Sequence, residues 1–351
     1  MVFATERLKG AQLSMKRIVS IVLVVMMMLV SAATAEGLTS ITTGLPTDKD
    51  ATTMVVQLDN QPGARPQKGI GSADIVYEIE LYRGGATRYT AVFNDNIPEE
   101  VEAVRSTRIV NAMVFSEYGG AFVYYGARTV EGNSAISFMN SKEFKKAIGS
   151  SARFNGIWVG CNDNNCNTEG ANKFYRDGHR VAPHNVIAKL QELAALTDWA
   201  EITCDSPLKF RSKFKVPSGE DVTSFAIDYG SRSYAPSYVW DPSINRYQRL
   251  YNNKPFTDGA TGEQIYVDNV IVQHVRSSWH NNSSEGPVVE MVDENVCDYF
   301  VGGKHFIGTW KRDKLTRNTV YFDENGKKVK LNPGVTYIQI FKDGEGNQIV
   351  Y

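Results

Sequence analysis

From about residue 208 onward the chain is a succession of short apolar runs separated by turn signals, and nothing else in it constrains the fold as strongly. Tyr266–Val275, Pro287–Val292, Val296–Val301, His305–Trp310, Thr319–Phe322 and Val335–Phe341 have the length and the β-branched and aromatic content of strands. Asp323-Glu-Asn-Gly326, Asn332-Pro-Gly334 and Asp343-Gly-Glu-Gly346 punctuate them as turns. No helical stripe longer than two turns occurs there. Residues 206–351 are therefore predicted to form a β-rich C-terminal part.

The preceding part reads differently. Met54–Leu58 is a short apolar strand running into Asp59-Asn60, and two prolines and two glycines make Gln61–Gly69 a loop. Ala73–Leu81 alternates in the manner of a strand, Gly84-Gly85 breaks it, and Arg88–Asn94 returns as its hairpin partner. Ile109, Val110, Met113, Val114 and Tyr118 fall on one helical stripe, with Ser106 as N-cap candidate and Gly119-Gly120 as the stop. Ala121–Tyr125 follows as a strand, and a second helix is predicted over Val186–Trp199 with Asn185 as its cap. Strand, helix, strand in that order points to an α/β layer. The expected organisation is an α/β N-terminal domain over 53–205, a Thr/Ser/Gly-rich linker over 36–52, and the β-rich part thereafter. The fold class is mixed α+β.

Ahead of the linker, Lys16-Arg17 precede an almost unbroken apolar run of 13 residues, Ile18–Val30, and small residues lead to Ala33-Thr34-Ala35. This is the pattern of a cleaved signal peptide over 1–35, with 1–14 as an upstream extension. The run is too short to span a bilayer, which takes roughly 20 residues. Removing Arg7, Lys9, Lys16 and Arg17 together with Glu6 turns the net charge from −1 to −4. A mildly acidic exported chain has no general attraction to nucleic acid, and no transmembrane helix is expected after cleavage. With no cysteine beside Ala35, the product is expected to be secreted or associated with the envelope without a lipid.

Export favours disulfides among the four cysteines, Cys161, Cys166, Cys204 and Cys297. Cys161–Cys166 would close a short polar loop and Cys204–Cys297 would form the second bridge, one of three pairings the count allows. The CxxxxC spacing has no histidine within ten residues, which disfavours zinc. The single carboxylate of that loop, Asp163, disfavours calcium. No metal site and no cofactor is expected. The mature part also lacks GxGxxG after a strand, a P-loop, HExxH, GxSxG and SxxK.

The chemistry-bearing residues that remain lie at element ends. They are Asp59 and Asn60 after the first strand, Arg65 and Gln67 in the loop, Glu78, Arg88, and Arg105, Ser106 and Arg108 at a helix start. Two arginines at a helix N-terminus oppose the macrodipole unless an anion or a carboxylate lies between them. Such strand ends and helix starts gather on one edge of an α/β layer. In Arg180-Val-Ala-Pro-His-Asn185, Pro183 sets the entry to the second helix. His184 is placed there to donate to a ligand or to act as acid and base near neutral pH.

At these residues the chain resembles the YerB-like family of bacterial lipoproteins, a two-part domain of unknown function. The resemblance is carried by Leu58-Asp-Asn-Gln-Pro-Gly-Ala-Arg-Pro-Gln67, Ala73-Asp-Ile-Val-Tyr-Glu78, Gly84-Gly-Ala-Thr-Arg88, Val104-Arg-Ser-Thr-Arg108 and Ala182-Pro-His-Asn185. In the second part it is carried by Asp268-Asn-Val-Ile-Val272, Gly308-Thr-Trp310, Tyr321-Phe-Asp323 and Leu331-Asn-Pro-Gly334. It spans residues 54 to 341 in the family's order and implies a three-layer sandwich-like α/β part joined to a β-rich part. It implies no reaction. The family's members usually carry a lipid on an N-terminal cysteine, which this chain lacks.

Three function classes follow. The first is an extracytoplasmic protein that binds an anionic, phosphate- or carboxylate-bearing envelope ligand through Asn60, Arg65, Gln67, Arg88, Arg105, Ser106, Arg108, His184 and Asn185. The second is an envelope hydrolase or transferase using Glu78 or Asp59 with His184 as acid and base. The third is a scaffold for an exported protein partner, which would present a flat apolar patch.

Overall fold

The computed structural model describes residues 37–156, 170–231, 235–282, 286–344 and 346–351. The segment read as a signal peptide and the pair Cys161 and Cys166 lie outside them. The chain divides into two compact units, and the described residues of the first are 37–38 and 46–48, with extended backbone at Leu38 and at Pro46–Thr47. The second, Thr39–Leu45 and Lys49–Tyr351, holds everything that follows.

Its centre is one long mixed sheet. In chain order the principal strands are β1 (Met54–Asp59), β2 (Ile75–Tyr82), β3 (Ala86–Phe93), β4 (Ala121–Tyr125), β5 (Ala152–Gly156), β6 (Asn269–Val275), β7 (Glu294–Val301), β8 (Lys304–Lys311) and β9 (Thr336–Lys342). They lie side by side in the order β5-β4-β1-β3-β2-β9-β6-β7-β8. The hairpin β2–β3 expected from the Gly84-Gly85 break is present and antiparallel. β9 pairs in parallel with β2 on one side and with β6 on the other, so strands from both ends of the chain share one ladder. The six strands expected between 266 and 341 are all present within a few residues of their predicted limits. The fold is mostly β with short helices, so mixed α+β holds at that level.

The period of two along the strands divides their side chains between two cores. Val55, Ile75, Tyr77, Ile79, Val92, Ile271 and Ile338 belong to one core, and helix α1 (Ile109–Phe115) adds Val110, Ala112, Val114 and Phe115 to it. Val56, Leu58, Val76, Tyr89, Ala91, Val270 and Val272 belong to the other. There they meet Phe225, Tyr238 and Tyr247 of a second sheet built from Ser224–Asp228, Pro236–Asp241, Arg246–Tyr251 and Gln348–Val350. No helix among the described residues is long and apolar enough to cross a membrane.

Three local expectations give way. Val186–Lys189 is a strand between Phe174–Arg176 and Glu100–Glu102, and only Leu190–Ala195 of the predicted second helix is helical. The β-branched Val186 and Ile187 are better placed on a pleated surface than in a helix, and the neighbouring strands supply their backbone partners. Asn185 is therefore no helix cap: its Nδ2 donates to the carbonyls of Asp177 (2.8 Å) and Arg180 (3.0 Å). α1 is capped at Arg108 rather than Ser106, with the Asn111 carboxamide accepting the Arg108 N–H at 2.8 Å. Within the stretch read as a linker, Thr42 and Thr43 are buried, and their hydroxyls donate to Asp74 (2.8 Å) and Asp95 (2.6 Å).

The Cys204–Cys297 bridge is not made, and both are free thiols. Cys204 bridges to Gly119 and its sulfur accepts the N–H of Thr53, just before β1. Cys297 is buried on β7. Five strand spacings, about 24 Å, separate β1 from β7, far beyond the reach of a disulfide. Burial also pushes the Cys297 thiol up. Alkylation of the folded protein without reductant is expected to label Cys204 ahead of Cys297, and denaturation to expose both. Peptide mass mapping checks this, and a protected pair in the denatured state would contradict it.

One histidine sits between two carboxylates. On β6, His274 contacts Asp298 through Nε2 (2.8 Å) and Asp343 through Nδ1 (2.8 Å). Burial disfavours its charged form, but these two hydrogen bonds and both carboxylate charges outweigh it and raise its pKa. A raised folded-state value stabilises the protein fully below the unfolded value, about 6.5, and that stabilisation is lost as pH climbs through the folded value. The melting temperature is therefore expected to fall as pH rises above about 6.5. The His274→Gln variant should lose that slope. An unchanged slope in the variant would refute the assignment.

Candidate functional site

The ends of several strands converge because the sheet is mixed. β1, β4 and β5 are mutually parallel, and their carboxyl ends, Asp59, Tyr125 and Gly156, reach the same edge. β3 runs the other way and starts there, placing Arg88 opposite Asp59 in the ladder. The segment Val104–Arg108 threads between these ends: Val104 bridges to Leu58 and Thr107 to Ala127. The Arg105 N–H bonds to the carbonyl of Gln57 (2.9 Å), and its own carbonyl accepts the N–H of Tyr125 (3.0 Å). Asn111 of α1 donates to Thr90 (3.1 Å), which donates to Gln57 (3.1 Å), tying the helix start to β1 and β3.

At the middle of this edge the carboxylate of Asp59 accepts His184 Nδ1–H at 2.7 Å, its second oxygen accepts the N–H of Gln61 at 3.2 Å, and Arg105 Nε lies in ion-pair contact with it at 3.1 Å. Burial raises the Asp59 pKa, but the charges of Arg88 and Arg105 and the bonds from His184 and Gln61 outweigh it and hold the carboxyl below its ordinary value. It is ionised and aligns the imidazole, with Nε2 making no hydrogen bond to any described residue. Burial lowers the pKa of Arg105, the neighbouring Arg88 acts in the same direction, Asp59 opposes both, and Arg176 adds a further like charge. Arg88 is almost wholly buried and donates to the Ser106 carbonyl (2.7 Å) and the Tyr82 hydroxyl (3.0 Å). Arg108 reaches the carbonyls of Thr107 (3.0 Å) and Ser106 (3.4 Å), and the Ser106 hydroxyl donates to the Tyr125 carbonyl (3.0 Å). Asp59, Arg88, Arg105, Ser106, Arg108 and His184 are thus brought together. Asn185 joins from the side by accepting Arg176 at 2.8 Å.

The remaining sequence candidates form a second, buried group. Asn60 Nδ2 donates to Glu78 (3.1 Å), Thr87 (2.6 Å) and Tyr251 (2.6 Å), and its oxygen accepts from Arg65 (3.0 Å) and Gln67 (3.3 Å). Gln67 also donates to the Asp59 carbonyl (2.7 Å). Glu78 has no solvent exposure and is paired with Arg249 at 2.7 Å. Asp59, and not Glu78, is the carboxylate that meets the imidazole. Residues 60–67 fix the shape of the loop behind Asp59 rather than its outward face.

Sequence reasoning missed Arg249 and Tyr251, which hold Glu78, and Arg176 beside Arg105. In Arg246–Tyr251 the inward positions are Tyr247, Arg249 and Tyr251. The alternation was there to be read, with an arginine in the apolar slot. Among the described residues no serine, threonine or cysteine hydrogen-bonds to His184, and no group of three or more metal-ligating side chains occurs.

Residues 42–203 match the N-terminal domain, and residues 225–338 the C-terminal domain, of a family described as "Protein of unknown function (DUF3048)". The chain is 25% identical over 330 residues to "Putative lipoprotein YerB" of Bacillus subtilis (strain 168), covering 88% of each chain. It is also similar to the crystal structure of YerB protein from Bacillus subtilis, with a TM-score of 0.70 and 22% identity over 90% of this chain and all of the other. That likeness is one of fold.

Proposed function

The chain belongs to the DUF3048 family, and from that premise we propose that it is an extracytoplasmic cell-envelope protein that binds an anionic ligand at the Arg105–His184 edge. Phosphate and carboxylate are the groups this chemistry takes. One observation carries the reading. Arg105 meets Asp59 only as an ion pair through Nε, while its two terminal amino groups have no hydrogen-bond partner among the described residues and its side chain is 17% exposed. Arg88 and Arg176 lie within electrostatic reach of it, with Asp59 as the nearest opposing charge. A planar fork of free donors in a partly dried, cationic setting suits a bidentate oxyanion.

The extracytoplasmic placement is supported by the leader pattern before Ala35 and by the word lipoprotein in the relative's name. Attachment without a lipid is part of the same proposal, and intact mass of the exported product tests it.

Calorimetric titration of the chain with inorganic pyrophosphate, at low and high salt, tests the binding. Saturable binding that weakens with salt is expected, with none for a neutral sugar. No saturable heat with pyrophosphate or citrate would reject it.

A second reading rests on the Asp59–His184 bond. An ionised carboxylate on Nδ1–H leaves Nε2 as a base directed away from Asp59, the arrangement used for acid and base catalysis on a bound ester. Phosphodiesterase or esterase activity lost in His184→Ala, with pyrophosphate binding retained, would favour it.

A further inference from the structure

A second cationic surface lies at the other side of the sheet, around β8. Residues 209–211 run beside 329–331: Phe210 bridges to Leu331, the Arg211 N–H bonds to the Leu331 carbonyl (2.9 Å), and the Leu331 N–H bonds to the Lys209 carbonyl (2.8 Å). Lys215 is held by Asn332 at 2.9 Å. This pairing gathers two basic stretches that are far apart in sequence into one cleft of about 510 Å³, lined by Arg211, Lys215, Lys327, Lys328 and Lys330. The acidic residues of the lining are Asp323 and Glu324. Asp323 is occupied by the backbone N–H groups of Asn325 and Lys327. None of the five basic side chains makes an ion pair with a described residue. Apolar side chains stand exposed at the cleft: Ile307 at 53% and Val216 at 49% line it, and Phe214, two residues before Val216, is 41% exposed.

We propose that this face docks on an anionic lipid surface. Five unpaired cations on a chain whose net charge is −1 match a negative sheet of headgroups. The exposed Ile307, Val216 and Phe214 select a bilayer over a soluble polyanion, because apolar side chains gain free energy only where they can enter the headgroup–acyl boundary.

Co-sedimentation of the chain beginning at Glu36 with phosphatidylglycerol–phosphatidylcholine vesicles tests this. Binding is expected at low salt, is lost at high salt, and is absent with phosphatidylcholine alone. Lys327→Glu/Lys328→Glu/Lys330→Glu should weaken it about a hundredfold. These side chains are exposed and unpaired, so the fold should survive, and the salt titration of the unaltered protein stands independently. Phe214→Ser/Ile307→Ser should weaken vesicle binding but leave its salt dependence. Arg105→Ala should leave vesicle binding unchanged, which separates this surface from the site above. Equal binding to phosphatidylcholine would overturn the proposal. So would indifference to the lysine reversals, or polyphosphate binding that is as tight and insensitive to Phe214→Ser/Ile307→Ser.

Discussion

Replacing Arg249 by methionine is expected to lower the unfolding free energy by about 3–5 kcal/mol, the cost of stripping one partner from a buried ion pair. Arg249 has no solvent exposure, donates to Glu78 at 2.7 Å and to the Tyr89 hydroxyl at 3.0 Å, and lies over the rings of Phe256 and Tyr251. Methionine fills much of the volume but leaves the buried Glu78 carboxyl without its charged partner, held only by the neutral donors Asn60, Thr87 and Tyr251. The same group anchors the loop behind Asp59, so the variant should also loosen the Asp59–His184 contact. Urea unfolding measures the effect, and Glu78→Gln added to Arg249→Met should recover part of it. A loss under about 1 kcal/mol for the single variant would show that the pair holds little of the fold.

Arg105→Ala is expected to weaken pyrophosphate binding by about 1.5–3 kcal/mol, roughly 10- to 150-fold. The fold should tolerate it better than the Arg249 change, because Asp59 keeps its hydrogen bond from His184 and the charge of Arg88. Arg105→Lys should not restore the affinity, since an ammonium cannot hold Asp59 and present a flat pair of donors together. Arg246, paired with Asp268 at 3.2 Å on another part of the molecule, supplies the control: Arg246→Ala should leave binding intact. Both titrations belong well above pH 4. Asp59 has a lowered folded-state pKa, so its stabilisation is present above the unfolded value and is lost as pH falls through the folded one. Equal affinities for Arg105→Ala and the unaltered chain would place the anion elsewhere.

Strands with clean apolar alternation and glycine punctuation were legible in the sequence, the β2–β3 hairpin and β6 to β9 among them. Val186–Lys189 was not, because its apolar spacing suits either period over so few residues and the deciding partner, Glu100–Glu102, lies some 85 positions away. Pro236–Asp241 and Arg246–Tyr251 escaped notice because their inward faces carry tyrosines and an arginine rather than aliphatics. Asp59, Arg88, Arg105 and His184 stood out as charged groups at element ends. What spacing could not supply was the division of labour between Asp59 and Glu78, which depends on Arg249 arriving from the second sheet.

The parallel pairing of β2 with β9 also governs how the chain is assembled. Ile75 pairs with Thr336, 261 positions later. While the chain is being synthesised, β2 therefore waits with the backbone N–H and C=O groups of one edge unpaired until Thr336–Lys342 emerges. Closing so long a loop carries an entropic cost that grows as the logarithm of its length, and topologies of this kind fold slowly. A nascent chain stopped before residue 336 holds the β2–β3 hairpin with its open flank bare, an edge ready to pair with another copy. Arrival of β9 is thus the step that turns an aggregation-prone half-product into a closed sheet.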